Sequence, residues 1–461
     1  MNKKQLKKNM VIDSKQQESK NKKIEVHHLT RVEGHGDIVV YLDKNNQIQR
    51  CEWRVVEAPR FFEAMVVGRP YTDIHHIVSR ICGICSIGHQ LASIQATEEA
   101  FHCQVSEQTI ILRKLALHAE NLQSHLLHIG YLVLPDLLEV GSVFPLAKTH
   151  KQELLNIISC RKLSNKFSQV ICGRTTHPQR LVPGGMESFP TVSELKELLK
   201  ELKHSLAWLN NLGNLFLSLK EKYPKFERET EYIALVSNGE YALYHGEVGS
   251  SLDERKPNFF YTQMTNEYCV PQSTAKWTKN VKDAYMVGAL ARLNLNYELL
   301  TPGAKNLARR FGLSPLCHNP FFITLAQIVE CVHSTEESIA LLDVLLTRGL
   351  KDEKIVPIKP CAGKGVGALE APRGILFHYY EYNEEGRIVK ADCIIPTNQN
   401  HGNIQKDFEA LAPILSGKSE REIEFTLSML VRAYDPCISC STHYIELGQN
   451  KNLSPVQFVY V

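Results

Sequence analysis

Two pairs of cysteines in this sequence have the spacing of metal ligands. Each pair is a Cys-x-x-Cys element, Cys82-Gly-Ile-Cys85 and Cys437-Ile-Ser-Cys440. Two intervening residues allow both thiolates of a pair to turn toward one metal, and four thiolates suit zinc, iron or nickel rather than magnesium or calcium. The spacing alone leaves a structural zinc site and a redox-active cysteine pair open as alternatives.

The separation of the two pairs along the chain argues against a small zinc module. Cys85 and Cys437 are separated by 351 residues, whereas the pairs of a zinc ribbon are typically about 15–20 residues apart. A thioredoxin-like redox site needs one such element, not two. The other cysteines form no such pair and are expected to be small apolar core residues: Cys51, Cys103, Cys160, Cys172, Cys269, Cys317, Cys331, Cys361 and Cys393.

The residues that flank both pairs resemble the two signatures of nickel–iron hydrogenase large subunits. Arg80-Ile-Cys-Gly-Ile-Cys85 is followed by Gly88-His89, and the second pair lies in Asp435-Pro-Cys-Ile-Ser-Cys-Ser-Thr-His443. Further segments resemble the family in the same order along the chain: Arg31-Val-Glu-Gly-His35, Gly68-Arg69, Glu370-Ala-Pro-Arg-Gly374 and Pro396-Thr397. The resemblance therefore spans about residues 25–443.

This resemblance implies a nickel–iron centre on the four cysteines. All four thiolates would bind nickel, with Cys82 and Cys437 as terminal ligands and with Cys85 and Cys440 also bridging to iron. The iron of the family carries cyanide and carbon monoxide, which maturation and metal-insertion proteins install. The implied reaction is the reversible heterolytic cleavage of H2, in which a proton passes to a nearby base and the electrons leave through the metals.

The resemblance also implies three catalytic residues. Arg373 lies in the segment that the family places above the open metal position, next to Pro372, which is expected to contact the cofactor. Asp435 would fix the Arg373 guanidinium, although an Arg–Asp pair that only ties two segments together is the simpler alternative. Glu33 matches the family's proton carrier, and a buried carboxylate with a raised pKa there would exchange protons near neutrality.

Further residues match cofactor and ion ligands of the family. His89 is expected to donate a hydrogen bond to a bridging sulfur, and Thr397 to a diatomic ligand of the iron. Glu63 and His443 match the ligands of a separate magnesium or similar divalent ion, together with the backbone carbonyl of Cys393.

One departure from the family pattern bears on the partners. Ser124-His125 stands where membrane-linked uptake enzymes of the family carry Asp-His. The chain therefore resembles the soluble, cytoplasmic, bidirectional group, and it contains no Gly-x-Gly-x-x-Gly fingerprint of its own. The resemblance implies an iron–sulfur small subunit as partner, and diaphorase-type or other electron-transfer subunits beyond it.

Hydrophobic periodicity predicts the elements that must position these residues. Ile38–Val56 and Gly374–Pro396 alternate apolar and polar residues around central turns, as β-hairpins do. Helical patterns, two of them behind capping boxes, cover four further segments: Ser106–Leu134, Thr191–Leu209, Phe322–Leu346 and Ser419–Tyr434. The expected fold is α+β and predominantly helical, the hydrogenase large-subunit fold with a long-helix core and small sheets near both ends.

Composition limits the remaining classes of function. The chain has 53 basic and 50 acidic residues, and eight of its lysines lie in residues 1–23, so the folded body lacks the basic face that nucleic acid requires. We expect 1–23 to be a disordered tail, 24–443 the catalytic domain, and 444–461 an extension that a maturation protease removes. No uninterrupted apolar run reaches membrane-spanning length. A non-catalytic zinc scaffold is the alternative function, and a quinone-reductase relative is disfavoured because such relatives lack the cysteine pairs.

Overall fold

Long helices and small sheets make up the computed structural model, which describes residues 22–26, 29–45 and 47–442. The predicted α+β, predominantly helical fold is confirmed. The first strand begins at Lys22, two residues inside the range expected for the N-terminal tail. The rest of that tail, His443 and the extension 444–461 lie outside the described residues.

The helices differ widely in length, and the long ones form the core. In chain order they are α1 (Phe62–Val66), α2 (Tyr71–Val78), α3 (Ser86–Ala100), α4 (Glu107–Leu127), α5 (Leu134–Leu137), α6 (Leu146–Thr149), α7 (Lys151–Cys172), α8 (Val192–Ser218), α9 (Thr262–Thr265), α10 (Ala289–Asn296), α11 (Pro302–Phe311), α12 (Ile323–Arg348), α13 (Pro396–Leu415), α14 (Glu420–Ala433) and α15 (Ile438–Ser441). A π-helical turn, His128–Val133, joins α4 to α5.

The strands form three small sheets and two isolated pairs within the described residues. They are β1 (Lys22–Val26), β2 (Gly36–Leu42), β3 (Ile48–Val55), β4 (Leu181–Val182), β5 (Gly185–Met186), β6 (Glu231–Val236), β7 (Glu247–Ser250), β8 (Glu267–Tyr268), β9 (Trp277–Thr278), β10 (Tyr285–Met286), β11 (Gly363–Ala371), β12 (Gly374–Tyr382) and β13 (Ile388–Ile394). The three sheets have the orders β1-β2-β3, β10-β6-β7 and β11-β12-β13.

Local sequence signals account for the elements that were predicted. The hairpins β2-β3 and β12-β13 are antiparallel pairs at the expected places. The capping boxes of Thr191 with Glu194 and of Ser419 with Glu422 are both formed and begin α8 and α14, because each hydroxyl satisfies an amide that the helix leaves unbonded. The sheet β10-β6-β7, in the middle of the chain, was not expected.

Three alternate glycines of β11 bring that strand unusually close to α3. A side chain at any of them would overlap a backbone carbonyl of the helix, with Gly363, Gly365 and Gly367 facing Ala100, Ala96 and Ala92 respectively. Residues two apart lie on one face of a strand, and residues four apart lie on one face of a helix. The three glycines therefore face three successive turns of α3. This contact fixes α3, which starts directly after Cys85, against the sheet that carries Arg373 at its first turn.

No helix among the described residues has the length and hydropathy needed to cross a membrane.

Candidate metal centre

The four paired cysteines meet in the interior, although they come from opposite ends of the chain. Their sulfur atoms all lie within 4.8 Å of one another, and all four residues are buried. The sulfurs of Cys82 and Cys437 are 3.4 Å apart. Cys437 and Cys440 are joined as a disulfide. Since thiolates are the metal ligands, the metal-binding form has this pair reduced.

The first pair is positioned by the start of α3. A 3-10 turn, Ser79–Ile81, ends at Cys82, and Cys85 is the residue before the first turn of α3. The Cys82 sulfur accepts hydrogen bonds from the amides of Ile84 and Cys85, each at 3.2 Å. The Cys85 thiol and these amides lower the pKa of Cys82 to about 7. The same thiol contact and burial raise the pKa of Cys85.

The second pair follows the end of α14. The helix α14 ends at Ala433, and Asp435, just before Pro436, adopts a left-handed backbone with φ 50°, so the chain turns sharply into Cys437. The Cys437 amide donates to the Thr397 hydroxyl at 3.0 Å, and its backbone forms a parallel bridge with Glu33. Thr397, at the start of α13, therefore contacts the second cysteine segment through the peptide of Cys437.

Arg373 and Asp435 form the ion pair that the sequence suggested. The Nη2 atom of Arg373 donates to Asp435 Oδ1 at 2.9 Å, and Nε donates to the Asp435 carbonyl. Both side chains are at least nine-tenths buried, and Nη1 of Arg373 has no protein partner among the described residues. Although burial opposes the charge, the Asp435 carboxylate and the nearby cysteines raise the pKa of Arg373, which keeps a cation beside the sulfurs.

Glu33 lies against the loop between the second pair of cysteines. Its carboxylate accepts from the Ser439 amide at 3.2 Å and from the Ser439 hydroxyl. Its carbonyl accepts from the Ile438 amide at 3.0 Å. Glu33 is only partly buried, so the expectation of a buried carboxylate is wrong. The residue lies in the irregular segment before β2, which reaches the surface at His35.

His89 belongs to a buried chain of polar side chains. Its Nδ1 lies 3.1 Å from Nε2 of His378, whose Nδ1 lies 2.7 Å from the Tyr380 hydroxyl. His89 is on the first turns of α3, and the other two are on β12. This row of polar side chains thus extends from the neighbourhood of Cys85 into the sheet.

The residues expected to bind a divalent ion are only partly described. Glu63 accepts from the Cys393 amide at 2.8 Å, and burial, followed by the neighbouring Asp392 carboxylate, raises the pKa of Glu63 to about 8. His443 lies outside the described residues. In the described part of the chain, the four cysteines are the one group whose ligand atoms converge as a metal requires.

Three residues that support the site, of which Glu120 and Arg292 are buried, were not singled out from the sequence. Arg60 donates from Nη1 to the Ile81 carbonyl at 2.7 Å, and its amide donates to the Thr442 carbonyl at 2.7 Å, so it ties the two cysteine segments together. Glu120 of α4 accepts from the amides of Ile87 and Gly88 at 2.7 and 2.9 Å. These amides are the unbonded donors of the first turn of α3, which favour an anion.

The third supporting residue, Arg292, holds the turn that carries Arg373. It donates to the carbonyls of Ala371 and Pro372 at 2.9 and 3.0 Å. Ion pairs with Glu330 at 2.6 Å and Glu370 at 2.8 Å compensate its own burial. Pro372 is therefore fixed through its carbonyl. None of the three supporting residues stands at a motif spacing from a cysteine, so only the tertiary structure identifies them.

Comparisons with known proteins match most of this chain to hydrogenase subunits. A family model described as nickel-dependent hydrogenase matches residues 60–155 and 235–443, and a HoxL-like model matches residues 23–58. The alpha subunit of sulfhydrogenase 1 from Pyrococcus furiosus is 32% identical over 426 residues, which cover 92% of this chain and 98% of that subunit. The beta subunit of the NAD-reducing hydrogenase HoxS from Cupriavidus necator is 26% identical, with 93% and 96% covered.

Solved structures agree. The crystal structure of an NAD⁺-reducing [NiFe]-hydrogenase in the H2-reduced state matches with a TM-score of 0.84 and 28% identity, covering 92% of this chain and 99% of that one. A nickel–iron–selenium hydrogenase from Desulfovibrio vulgaris Hildenborough matches with a TM-score of 0.73 at 23% identity, covering 92% and 100%. The second match concerns the fold alone.

Proposed function

We propose that this chain, which belongs to the nickel-dependent hydrogenase family, uses Arg373 and Glu33 to control the charge and the proton at its metal centre. The chain is the catalytic large subunit of a nickel–iron hydrogenase, an oxidoreductase that cleaves H2 reversibly into protons and electrons. The zinc-scaffold alternative is not favoured, because the relatives are named hydrogenase subunits.

The convergence of the four sulfurs carries this proposal. Soft thiolates in a buried pocket fit nickel and iron, and we assign Cys82 and Cys437 as terminal nickel ligands and Cys85 and Cys440 as bridges to iron. When bound on these thiolates, nickel and iron would supply the polarisation of H2 and the acceptance of its electrons. We also propose that the iron carries cyanide and carbon monoxide, with His89, Pro372 and Thr397 lining that side of the centre.

Arg373 supplies fixed positive charge and a free donor beside the sulfurs. Two of its nitrogens are held by Asp435, which leaves Nη1 as the donor without a protein partner among the described residues. A buried, preorganised donor of this kind stabilises negative charge that develops during a reaction without costly rearrangement. Asp435 thus orients the guanidinium and prevents it from closing on the thiolates as a simple ion pair.

Glu33 provides the route for the proton. Its carboxylate contacts Ser439, which stands between the two cysteines of the second pair, and it is partly exposed. A carboxylate that contacts the ligand loop and also reaches toward solvent can take a proton from one side and release it on the other. The partial exposure supports exchange with water rather than storage of the proton in the interior.

We propose a divalent ion, magnesium or a similar one, on Glu63, the Cys393 carbonyl and His443. Burial raises the pKa of Glu63, and a hard cation would favour the charged carboxylate that burial disfavours.

The electrons, we propose, leave through an iron–sulfur small subunit to a nicotinamide-type or similar acceptor. Relatives named NAD-reducing and F420-non-reducing hydrogenase subunits support a soluble electron-transfer assembly with further subunits. A nicotinamide acceptor would place the enzyme in the cytoplasm, where that coenzyme is reduced. Reduction of NAD⁺ by H2 in the purified complex, compared with reduction of a viologen dye, tests the acceptor.

Replacement of one site cysteine tests the proposed ligands. We expect Cys437→Ser to abolish H2-dependent dye reduction and to lower the nickel content, because a hydroxyl is a hard, weakly acidic ligand that cannot replace a thiolate. Cys160→Ser is the matched control, since Cys160 is also buried and belongs to no pair. Turnover like that of the wild type in Cys437→Ser would exclude the assignment.

A further inference from the structure

One buried carboxylate outside the group of four cysteines binds two arginines from different parts of the chain. Asp136 on α5 is 3% exposed. Its Oδ1 pairs with Nη2 of Arg31, while Arg432 donates from Nε to Oδ2 at 2.6 Å and from Nη2 to Oδ1 at 3.1 Å. Such charge-assisted, partly bidentate bonds fix position as well as charge. Asp136 therefore holds two segments in one place.

The π-helical turn before α5 also binds both arginine segments. The Leu132 carbonyl, within His128–Val133, accepts from Nη1 of Arg31 at 2.6 Å. His128, at the start of the turn, lies 2.6 Å from the Arg432 carbonyl. Single π-helical turns are rare and occur frequently at functional sites. Both arginines are thus bound by the side chain of Asp136 and by this turn.

The two arginines precede, in the sequence, the two residues that contact each other in the proposed proton route, Glu33 and Ser439. Arg31 lies two residues before Glu33, and Arg432 lies five residues before Cys437 and seven before Ser439. Arg31 has φ 63°, in the left-handed region that side chains other than glycine rarely adopt. Such a conformation persists where surrounding contacts determine it, and here those contacts come from Asp136 and Leu132.

We propose that Asp136 is a positioning residue for proton transfer: by holding Arg31 and Arg432 together it keeps the Glu33 carboxylate on Ser439. This inference rests on the proposed proton role of Glu33. Loss of the ion pairs of Asp136 with Arg31 and Arg432 would allow the segment that carries Glu33 to shift relative to the cysteine loop. The sulfurs and their own hydrogen bonds would remain in place. Misplacement by about 1 Å can cost about a hundredfold in rate.

The test compares exchange of hydrogen isotopes between H2 and water in the assembled, metal-loaded complex. We expect Asp136→Asn to lower exchange by roughly tenfold to a hundredfold with nickel and iron contents unchanged. In a Glu33→Gln background the same substitution should cause no further loss, because its effect acts through Glu33. Glu139→Gln is the control, since Glu139 follows closely and its side chain forms an exposed ion pair with Lys222.

The outcomes separate this proposal from the one on which it rests. Exchange at the wild-type rate in Glu33→Gln would overturn the proton role of Glu33, and the role of Asp136 with it. Lost exchange in Glu33→Gln but normal exchange in Asp136→Asn would overturn the role of Asp136 alone, as would a further loss in the double variant. If Asp136→Asn fails to assemble, Arg31→Lys decides: it removes the guanidinium that binds Asp136 and the Leu132 carbonyl at once, and normal exchange there contradicts the proposal.

Discussion

The Arg373 guanidinium is buried next to the cysteines, but Asp435 binds only some of its hydrogen-bond donors. The planar guanidinium offers three nitrogens for this purpose. Nη2 binds the Asp435 carboxylate, Nε binds the Asp435 carbonyl, and Nη1 remains available. The unbonded Nη1 supports our proposal that Arg373 acts at the metal centre and does more than tie two segments together.

We therefore expect Arg373→Lys to keep nickel and iron but to lose about a hundredfold or more in H2 oxidation, the scale of losing one preorganised donor. The ammonium retains the charge but cannot reproduce the planar set of donors. Metal analysis alongside the rate is the deciding measurement. Arg387→Lys serves as control, because Arg387 is half exposed and pairs with Glu385 at the surface. A parallel fall of metal content and rate would instead show a structural role.

At the scale of elements, the contact between α3 and β11 links the sheet to the first cysteine pair. Gly367→Ala would force the new methyl group into the Ala92 carbonyl, so the helix behind Cys85 must move. We expect a loss of roughly 1–3 kcal/mol in stability, as for other overpacked cores, together with a lower nickel content. Denaturant unfolding and metal analysis would measure both.

Gly239→Ala is the matched control for this change, because nothing lies within 4 Å of the methyl group it would add. Its stability should stay within about 0.5 kcal/mol of the wild type. Equal effects of the two substitutions would contradict the close packing of α3 on β11.

Local signals in the sequence explain which elements could be predicted. Capping boxes and apolar periodicity identify α8, α12 and α14, and alternation identifies both hairpins, because these signals act within a few residues. The sheet β10-β6-β7 pairs β10 in parallel with β6, about fifty residues earlier. Strands as short as Tyr285–Met286 carry no recognisable period of their own, and their pairing depends on tertiary packing.

The candidate site also contains residues that could be predicted from the sequence and residues that could not. The four cysteines, and Arg373 with Asp435, could be predicted because they stand in motifs that resemble a family, and the structure brings them together. Glu120 and Arg292 act on backbone atoms far along the chain. No spacing within the sequence encodes such contacts.

At the scale of the whole molecule, the C-terminal segment makes a separate prediction. Residues 444–461 follow the second cysteine pair closely, and we propose that a maturation protease removes them once nickel is bound. Before cleavage, the segment would keep Cys437 and Cys440 accessible for metal loading. The intact mass of active enzyme should therefore correspond to a chain that ends at His443. Fully active, nickel-loaded protein that still ends at Val461 would refute this proposal.

The nickel-edge X-ray absorption of the purified complex tests the central claim most directly, because it reports the atoms that surround the metal. Four buried sulfurs within 4.8 Å of one another predict nickel bound by sulfur from all four cysteines, with iron as its neighbour. In a metal-loaded fraction of Cys437→Ser, the sulfur coordination should fall. Nickel surrounded by nitrogen and oxygen alone, or zinc in its place in active enzyme, would contradict the account.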